Sequence, residues 1–163
     1  MAGASPSPRA PFAGRGHDHQ RCIDAAMTWA ERICRRRGAR LTDLRRRVLA
    51  LVWGSHEPVG AYDVLDRLRE DRQRAAPPTV YRALDFLLEH GLVHRIESLN
   101  AYVGCSNPEG SHVGQFLICD QCGTAAEIDD RGLASAVART AGRVGFQVQR
   151  QTIEVRGLCP RCR

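Results

Sequence analysis

The sequence predicts an α+β protein in two parts: a set of helices that ends in a β-hairpin, and a smaller part that contains a sheet. Three observations lead to this prediction. Apolar residues recur at helical spacing as far as Gly91 and alternate after it. Residues 1–100 contain 17 arginines against 12 acidic residues, and residues 101–163 contain 7 against 6. Five of the seven cysteines follow residue 100. The two parts are therefore expected to perform different tasks.

Composition narrows the class of protein. A hydrophobic fraction of 43% is sufficient for a packed core, and a net charge of +6 favours an anionic partner. No segment approaches the roughly 18 apolar residues of a membrane span, and residues 1–16 lack the apolar core of a secretion signal. In the reducing compartment that this implies, seven cysteines favour metal or redox chemistry over disulfides. We expect a cytoplasmic protein without a membrane partner.

The sequence divides into a disordered arm at residues 1–19, a first half at 20–104 and a second half at 105–163. His17 and His19 could bind a metal ion, although in such an arm an incidental role is favoured. In the first half, Gly38 ends a helix that begins at Gln20, and Thr42 caps a second helix. A break at residues 57–60 precedes a third helix, and a fourth runs from residue 77 to 90. Residues 92–96 and 101–103 are predicted strands around a turn.

Helices followed by a hairpin are the order of a winged helix-turn-helix domain. In that fold the second helix of the pair enters the major groove, and its N-terminal residues face the base edges. The corresponding side chains lie off the apolar stripe and are Thr79, Tyr81, Arg82 and Asp85. Seven arginines between residues 35 and 47, Arg45 and Arg46 among them, indicate phosphate contacts, with a solvated helix face as the alternative.

The second half is predicted as an α/β domain with an antiparallel sheet. Residues 115–118 and 125–128 are strand-like, residues 131–143 are helical, and residues 146–155 alternate as one long strand. The strongest motif of the chain brackets this unit and consists of two CxxC pairs, Cys119 with Cys122 and Cys159 with Cys162. Four thiolates are the set that a closed tetrahedral structural zinc site requires. A redox dithiol is the alternative.

A weaker group of potential ligands straddles the boundary between the halves. It consists of His94, Cys105, His112 and Glu127, whose mixed nitrogen, sulfur and oxygen atoms suit a reversible zinc site. Four ordinary surface residues are the alternative. The sequence contains no glycine-rich phosphate loop, paired catalytic carboxylates or nucleophile with a base at a recognisable spacing, so we do not expect an enzyme or a small-molecule substrate. A zinc-ribbon adaptor and a thiol oxidoreductase remain rival classes.

Several segments resemble the ferric uptake regulator family, over about residues 20–162. They are APPTVYRALDFL at 76–87, GLVH at 91–94, RLT at 40–42, AYDVL at 61–65 and FLICDQCG at 116–123. The chain is most similar to the zinc uptake regulator branch. Iron-sensing members have a His-His-Asp-His cluster before the first CxxC, whereas residues 111–115 contain His112 and no aspartate.

The resemblance implies a homodimeric, zinc-responsive repressor that binds double-stranded operator DNA of zinc-uptake genes through an N-terminal winged helix-turn-helix domain. The C-terminal α/β domain would dimerise, with structural zinc on Cys119, Cys122, Cys159 and Cys162. Regulatory zinc would bind His94, Cys105, His112 and Glu127, which makes two zinc sites per chain. Arg82 would read a base, and Tyr81 and Tyr62 would contact DNA. A sensor of another metal or of peroxide in the same family is the alternative.

Overall fold

The first half consists of four helices and a small antiparallel sheet. The computed structural model describes residues 12, 18–55, 57–71, 75–110 and 112–163. The helices are α1 (His19–Arg36), α2 (Asp43–Trp53), α3 (Ala61–Glu70) and α4 (Pro77–Glu89). The strands are β1 (Val59–Gly60), β2 (Val93–Ile96) and β3 (Ala101–Gly104), with one 3-10 turn at Glu97–Leu99. None of the helices in the described part of the chain combines the length and the apolar character needed to span a bilayer.

Local capping explains where these helices begin and end. The Asp18 carboxylate accepts a hydrogen bond from the Gln20 amide at 2.9 Å, so α1 begins at His19, one residue before the predicted start. Apart from residues 12, 18 and 19, the expected arm and its His17 lie outside the described residues. Thr42 caps α2 as predicted, by accepting from the Arg45 amide. Gly91 has a φ of 68°, a left-handed conformation that favours glycine and ends α4.

The predicted apolar stripes meet in one core. Val48 and Leu49 of α2, Val64 of α3, and Leu84 and Leu87 of α4 are fully buried there. Burial of a side chain of this size stabilises a fold by about 1.5–3 kcal/mol. The packing leaves the opposite side of α4 exposed, which is the side that would face DNA.

The small sheet of the first half has the strand order β1-β3-β2. Its hairpin of β2 and β3, with the 3-10 turn between them, confirms the predicted hairpin and is called the wing below. The predicted break at residues 57–60 does separate α2 from α3, but the sequence did not show that Val59 and Gly60 pair with Tyr102 and Ala101 of β3. A strand of two residues is too short to show an alternating pattern. Asn100, with a φ of 47°, closes the turn before β3.

The second half consists of β4 (Gly114–Cys119), β5 (Ala125–Ile128), α5 (Arg131–Arg143) and β6 (Thr152–Gly157). The strand order is β5-β4-β6, and the prediction of an antiparallel sheet was wrong for β6, which pairs with β4 in parallel. The reason is that β5 ends at the edge of the sheet where β4 begins, and β6 starts at that same edge after α5 has carried the chain to the other side of β4. β6 is therefore antiparallel to β5 and parallel to β4.

The prediction of one long strand over residues 146–155 was also wrong. Gly145, with a φ of 74°, turns the chain at the end of α5, and the Gln151 side chain still donates to the Ala134 carbonyl of that helix at 3.4 Å. Pairing with β4 begins only at Thr152. Phe146 is 66% exposed, so its place in the alternating pattern does not reflect burial in this chain.

One close contact joins the wing to α2. A Cβ atom added at Gly104 would overlap the indole ring of Trp53. Gly104 therefore allows β3 to pack directly on the end of α2, immediately before Cys105. This contact fixes the position at which the chain leaves the first half.

We expect Gly104→Ala to lower the free energy of unfolding by about 1–3 kcal/mol, because the methyl group must displace the Trp53 ring. Urea unfolding followed by circular dichroism measures this loss. Gly157→Ala is the matched control, since an added Cβ at that strand position meets no described atom within 4 Å. Equal stability of the two variants would contradict the proposed packing role of Gly104.

Candidate metal centres and DNA-binding surface

The two CxxC motifs meet at one end of the second sheet. Cys119 ends β4, and Cys159 follows β6 by two residues, so the parallel pairing of these strands brings both motifs to the same edge. All four sulfur atoms lie within 4.8 Å of one another, and those of Cys122 and Cys159 are 3.8 Å apart. Tetrahedral zinc with bonds of about 2.3 Å to sulfur requires sulfur–sulfur distances of roughly 3.8 Å. The donor atoms therefore fit zinc.

Backbone hydrogen bonds shape each turn of this cluster. The Gly123 amide donates to the Cys119 carbonyl at 2.9 Å, and Gly123 has a φ of 72°. In the other turn the Cys162 amide donates to the Cys159 carbonyl at 2.9 Å. These tight turns point the two sulfur atoms of each pair toward one position.

The electrostatics of the four cysteines favour a bound cation. Hydrogen bonds lower the pKa of Cys119 to about 6, first from the Cys159 amide and then from the amides of Cys122 and Gln121 in the turn of Cys119 itself. Burial, together with hydrogen bonds to the other three cysteines, raises the pKa of Cys162 to about 12. Hydrogen bonds from Thr124 also lower the pKa of Cys122, so the thiolate form is favoured at Cys119 and Cys122 and opposed at Cys162. Four thiolates can coexist here only if a cation neutralises them.

The second predicted ligand set also converges. His94 lies in β2 and Cys105 directly after β3, whereas His112 precedes β4 and Glu127 lies in β5. The Nε2 atoms of His94 and His112 are 3.1 Å apart, and each lies 2.8 Å from Oε1 of Glu127. The Cys105 sulfur is 3.4 Å from Nε2 of His112. Two nitrogens, one sulfur and one oxygen at these distances fit a tetrahedral zinc ion.

Hydrogen bonds within this second cluster shift the pKa values of its members. Hydrogen bonds with Cys105 and Glu127 raise the pKa of His112 to about 11. Burial opposes the charged form of His94, but hydrogen bonds with the same two residues raise its pKa to about 9. Burial likewise opposes ionisation of Glu127, yet contacts with both imidazoles hold the pKa of this carboxyl far below its usual range. The site is built to hold positive charge beside a carboxylate.

Neighbouring residues that the sequence did not point to orient these ligands. The Ser106 amide and hydroxyl donate to Oε2 of Glu127 at 2.8 and 2.6 Å, which leaves Oε1 directed at the histidines. Nδ1 of His112 lies 3.0 Å from the Gly110 carbonyl, so this ring nitrogen donates and Nε2 is available to a metal. Only proximity to predicted ligands could have indicated Ser106 and Gly110.

The residues predicted to face DNA fall into two groups. Arg82 and Tyr81 on α4 and Tyr62 on α3 are exposed, and Thr79 at the start of α4 is half-buried. Arg45 and Arg46 instead already have partners within the first half. The Arg45 guanidinium lies 3.5 Å above the centre of the Phe86 ring and also donates to the backbone, and Arg46 forms an ion pair with Glu31. The sequence did not reveal these pairings.

Two clusters of metal-ligand type, joined to a winged-helix domain with an exposed recognition helix, define the class of metal-dependent DNA-binding regulators. The Ferric uptake regulator family matches residues 36–156, and the chain belongs to that family. The Zinc uptake regulation protein of Escherichia coli (strain K12) is 45% identical over 137 residues, which cover 83% of this chain and 80% of that protein.

Solved structures show the same relationship. A structure described as a zinc uptake regulator complexed with zinc and DNA has a TM-score of 0.80 at 41% identity, covering 90% of this chain and 95% of that one. Holo XcZur has a TM-score of 0.78 at 48% identity, covering 86% and 97%. Apo XcZur, at 47% identity and the same coverage, has a TM-score of 0.51. The overall arrangement of this chain is thus more similar to the holo form than to the apo form.

Proposed function

We propose that this protein is a zinc-responsive transcriptional repressor that binds operator DNA of zinc-uptake genes when it is loaded with zinc. The observation that carries the proposal is the convergence of His94, Cys105, His112 and Glu127 at the boundary between the halves. Membership of the family and the similarity to zinc uptake regulation proteins support it. The protein acts by binding rather than catalysis, in the cytoplasm and without a small-molecule substrate.

The two clusters have different roles. The four cysteines hold a structural zinc ion that joins the two ends of the second half, whereas the boundary cluster holds the regulatory ion. Zinc supplies a divalent charge that accepts one lone pair from each ligand. His94 and Cys105 bring the wing to the site, and His112 and Glu127 bring the second sheet. Ligation of all four residues therefore fixes the angle between the halves.

Regulation follows from linkage between this angle and DNA binding. If only one angle presents both recognition helices of a dimer to the operator, zinc and DNA favour the same conformation. Zinc must then tighten the binding of DNA by the same factor as DNA tightens the binding of zinc. Such coupling free energies are typically about 1–3 kcal/mol. Zinc at this site would require neutral imidazoles at His94 and His112 and a thiolate at Cys105, so its binding would release protons and would weaken as the pH falls.

The DNA contacts follow the exposure of α4. Arg82 reads a base edge, and Tyr81, Thr79 and Tyr62 contact the neighbouring backbone or bases. Arg45 and Arg46 supply phosphate contacts, for which each must share or exchange its present partner. A guanidinium stacked on Phe86 retains donors for a phosphate oxygen.

A homodimer is supported by apolar surface on the second half. Val144, Phe146 and Leu158 are 80%, 66% and 56% exposed, and α5 buries none of its described side chains. Val144 and Phe146 lie two residues apart at the end of α5, and exposed apolar residues of this size that adjoin one another would form a contact surface. Two chains joined there would place two winged domains on an inverted repeat.

We expect Cys159→Ser to give unfolded or aggregated protein, because structural zinc contributes about 10–16 kcal/mol of apparent folding free energy in small peptides. Circular dichroism, zinc content and size-exclusion chromatography measure the loss. Cys105→Ser is the matched control and should remain folded with one zinc per chain. A folded, dimeric Cys159→Ser protein with normal DNA affinity would remove the structural assignment.

Arg82→Ala should weaken operator binding by about 1–3 kcal/mol and relax the preference at one position of each half-site. Arg46→Ala should instead weaken all sequences alike and flatten the salt dependence. Arg150→Ala controls for the loss of one positive charge. Competition binding against operators mutated at single positions measures these effects. Equal loss of specific and non-specific binding in Arg82→Ala would mean that this side chain contacts phosphate.

The regulatory site is tested by Cys105→Ser and His94→Ala. Each variant should stay soluble and dimeric and keep one zinc ion at the four cysteines, but lose zinc-dependent operator binding. Zinc content, dimerisation and operator affinity should be measured on the same preparation. If either variant bound the operator as tightly as the wild type, with the same response to added zinc, the zinc of this protein would be structural only.

A further inference from the structure

One row of residues across the second sheet faces the wing. The strand register places Glu127 of β5, Phe116 of β4 and Glu154 of β6 side by side. Phe116 lies in a buried cluster with Ile96 of the wing, and its ring centre is 5.4 Å from that of His94. The row therefore forms the contact between the second sheet and β2.

Glu127 and Glu154, at the two ends of this row, contact the wing through different kinds of interaction. At one end Glu127 contacts His94 and belongs to the regulatory cluster. At the other end the Glu154 carboxylate accepts hydrogen bonds from the backbone amides of Glu97 at 2.7 Å and Ser98 at 3.3 Å. These amides begin the 3-10 turn that follows β2. A carboxylate that accepts from two amides makes strong, charge-assisted hydrogen bonds.

The Glu154 contact is independent of any metal ligand. It joins β6 to the wing turn, three residues beyond His94 along the chain. A second contact between the halves, from Glu109 to Arg32 and Arg36 at 2.7 Å each, involves largely exposed groups. Salt and water screen such pairs. The Glu154 hydrogen bonds are exposed as well, but their donors are backbone amides held in place by the 3-10 turn, so this link requires less side-chain ordering than the Glu109 pairs.

We propose that Glu154 is a positioning residue that holds the wing turn on the second sheet before metal binds, and thereby sets the zinc concentration at which the regulatory site fills. The proposal rests on the function proposed above and adds a residue outside the ligand set. A contact that exists only when the wing lies against the second sheet, as in this structure, raises the fraction of metal-free protein in which the four zinc ligands are already together. The apparent affinity of a ligand that requires this arrangement rises in proportion to that fraction.

The test uses full-length Glu154→Gln, which keeps the shape of the side chain but replaces one acceptor oxygen with a donor. Asp129→Asn is the matched control, since Asp129 is an exposed acidic residue of the same half. Protein with zinc at the four cysteines and an empty regulatory site is compared by hydrogen exchange, without DNA. We expect the Glu97 and Ser98 amides to exchange about 10-fold faster in Glu154→Gln, as for loss of one hydrogen bond to a charged group. Exchange equal to the wild type would overturn the proposal.

The second measurement is a zinc titration of the regulatory site by chelator competition, again without DNA. The midpoint should move to about 10-fold higher zinc in Glu154→Gln and stay unchanged in Asp129→Asn. The melting temperature and the operator affinity at saturating zinc should both remain near wild type. An unchanged midpoint, or lost operator binding at saturating zinc, would overturn the positioning role. If the wild type failed to bind operator in response to zinc, only the proposed function would fail, because hydrogen exchange still decides the role of Glu154.

Discussion

The second half of the protein depends on the connection between its first and last strands. Among its described residues, Phe116, Ile118 and Ala126 are the buried apolar side chains other than cysteines. Such a small core cannot hold a sheet whose third strand is mostly exposed. The cysteine cluster closes this sheet where β4 and β6 end together, and the ion pair of Asp120 with Arg156 lies beside it. By holding β4 and β6 together, the cysteine cluster also keeps Glu127, Phe116 and Glu154 side by side, and these residues contact the wing.

In the function that we propose, the boundary cluster has the opposite role, because it is not expected to be needed for either half to fold. The first half has its own core, centred on residues such as Leu49 and Leu84, and the second half is closed by cysteines. The cluster therefore couples to the angle between two stable units. On this proposal one chain would contain a metal site for stability and another for response, with ligands that differ in charge and softness.

The sequence predicted the units of this protein better than their connections. Helical periodicity located all four helices of the first half, and the spacing of cysteines identified the first cluster, because both signals are local. The direction of β6 and the pairing of Val59 with Tyr102 were missed, since they depend on contacts between distant segments. The partners of Arg45 and Arg46 were missed for the same reason. The four residues at the boundary were proposed from their donor atoms and their location between the halves, a weak signal that the family resemblance strengthened, and Ser106 and Glu154 had no such guide.

The central claim is that zinc at the boundary site controls DNA binding. The most direct measurement is the affinity of the wild-type protein for its own upstream region at fixed salt, with the four-cysteine site loaded and the boundary site either empty or filled. Zinc, iron and manganese should be added separately. The account predicts that zinc tightens binding by about 5–150-fold, the usual range of such couplings, and that iron and manganese do so less. Equal affinity with the boundary site empty and zinc-filled would contradict it.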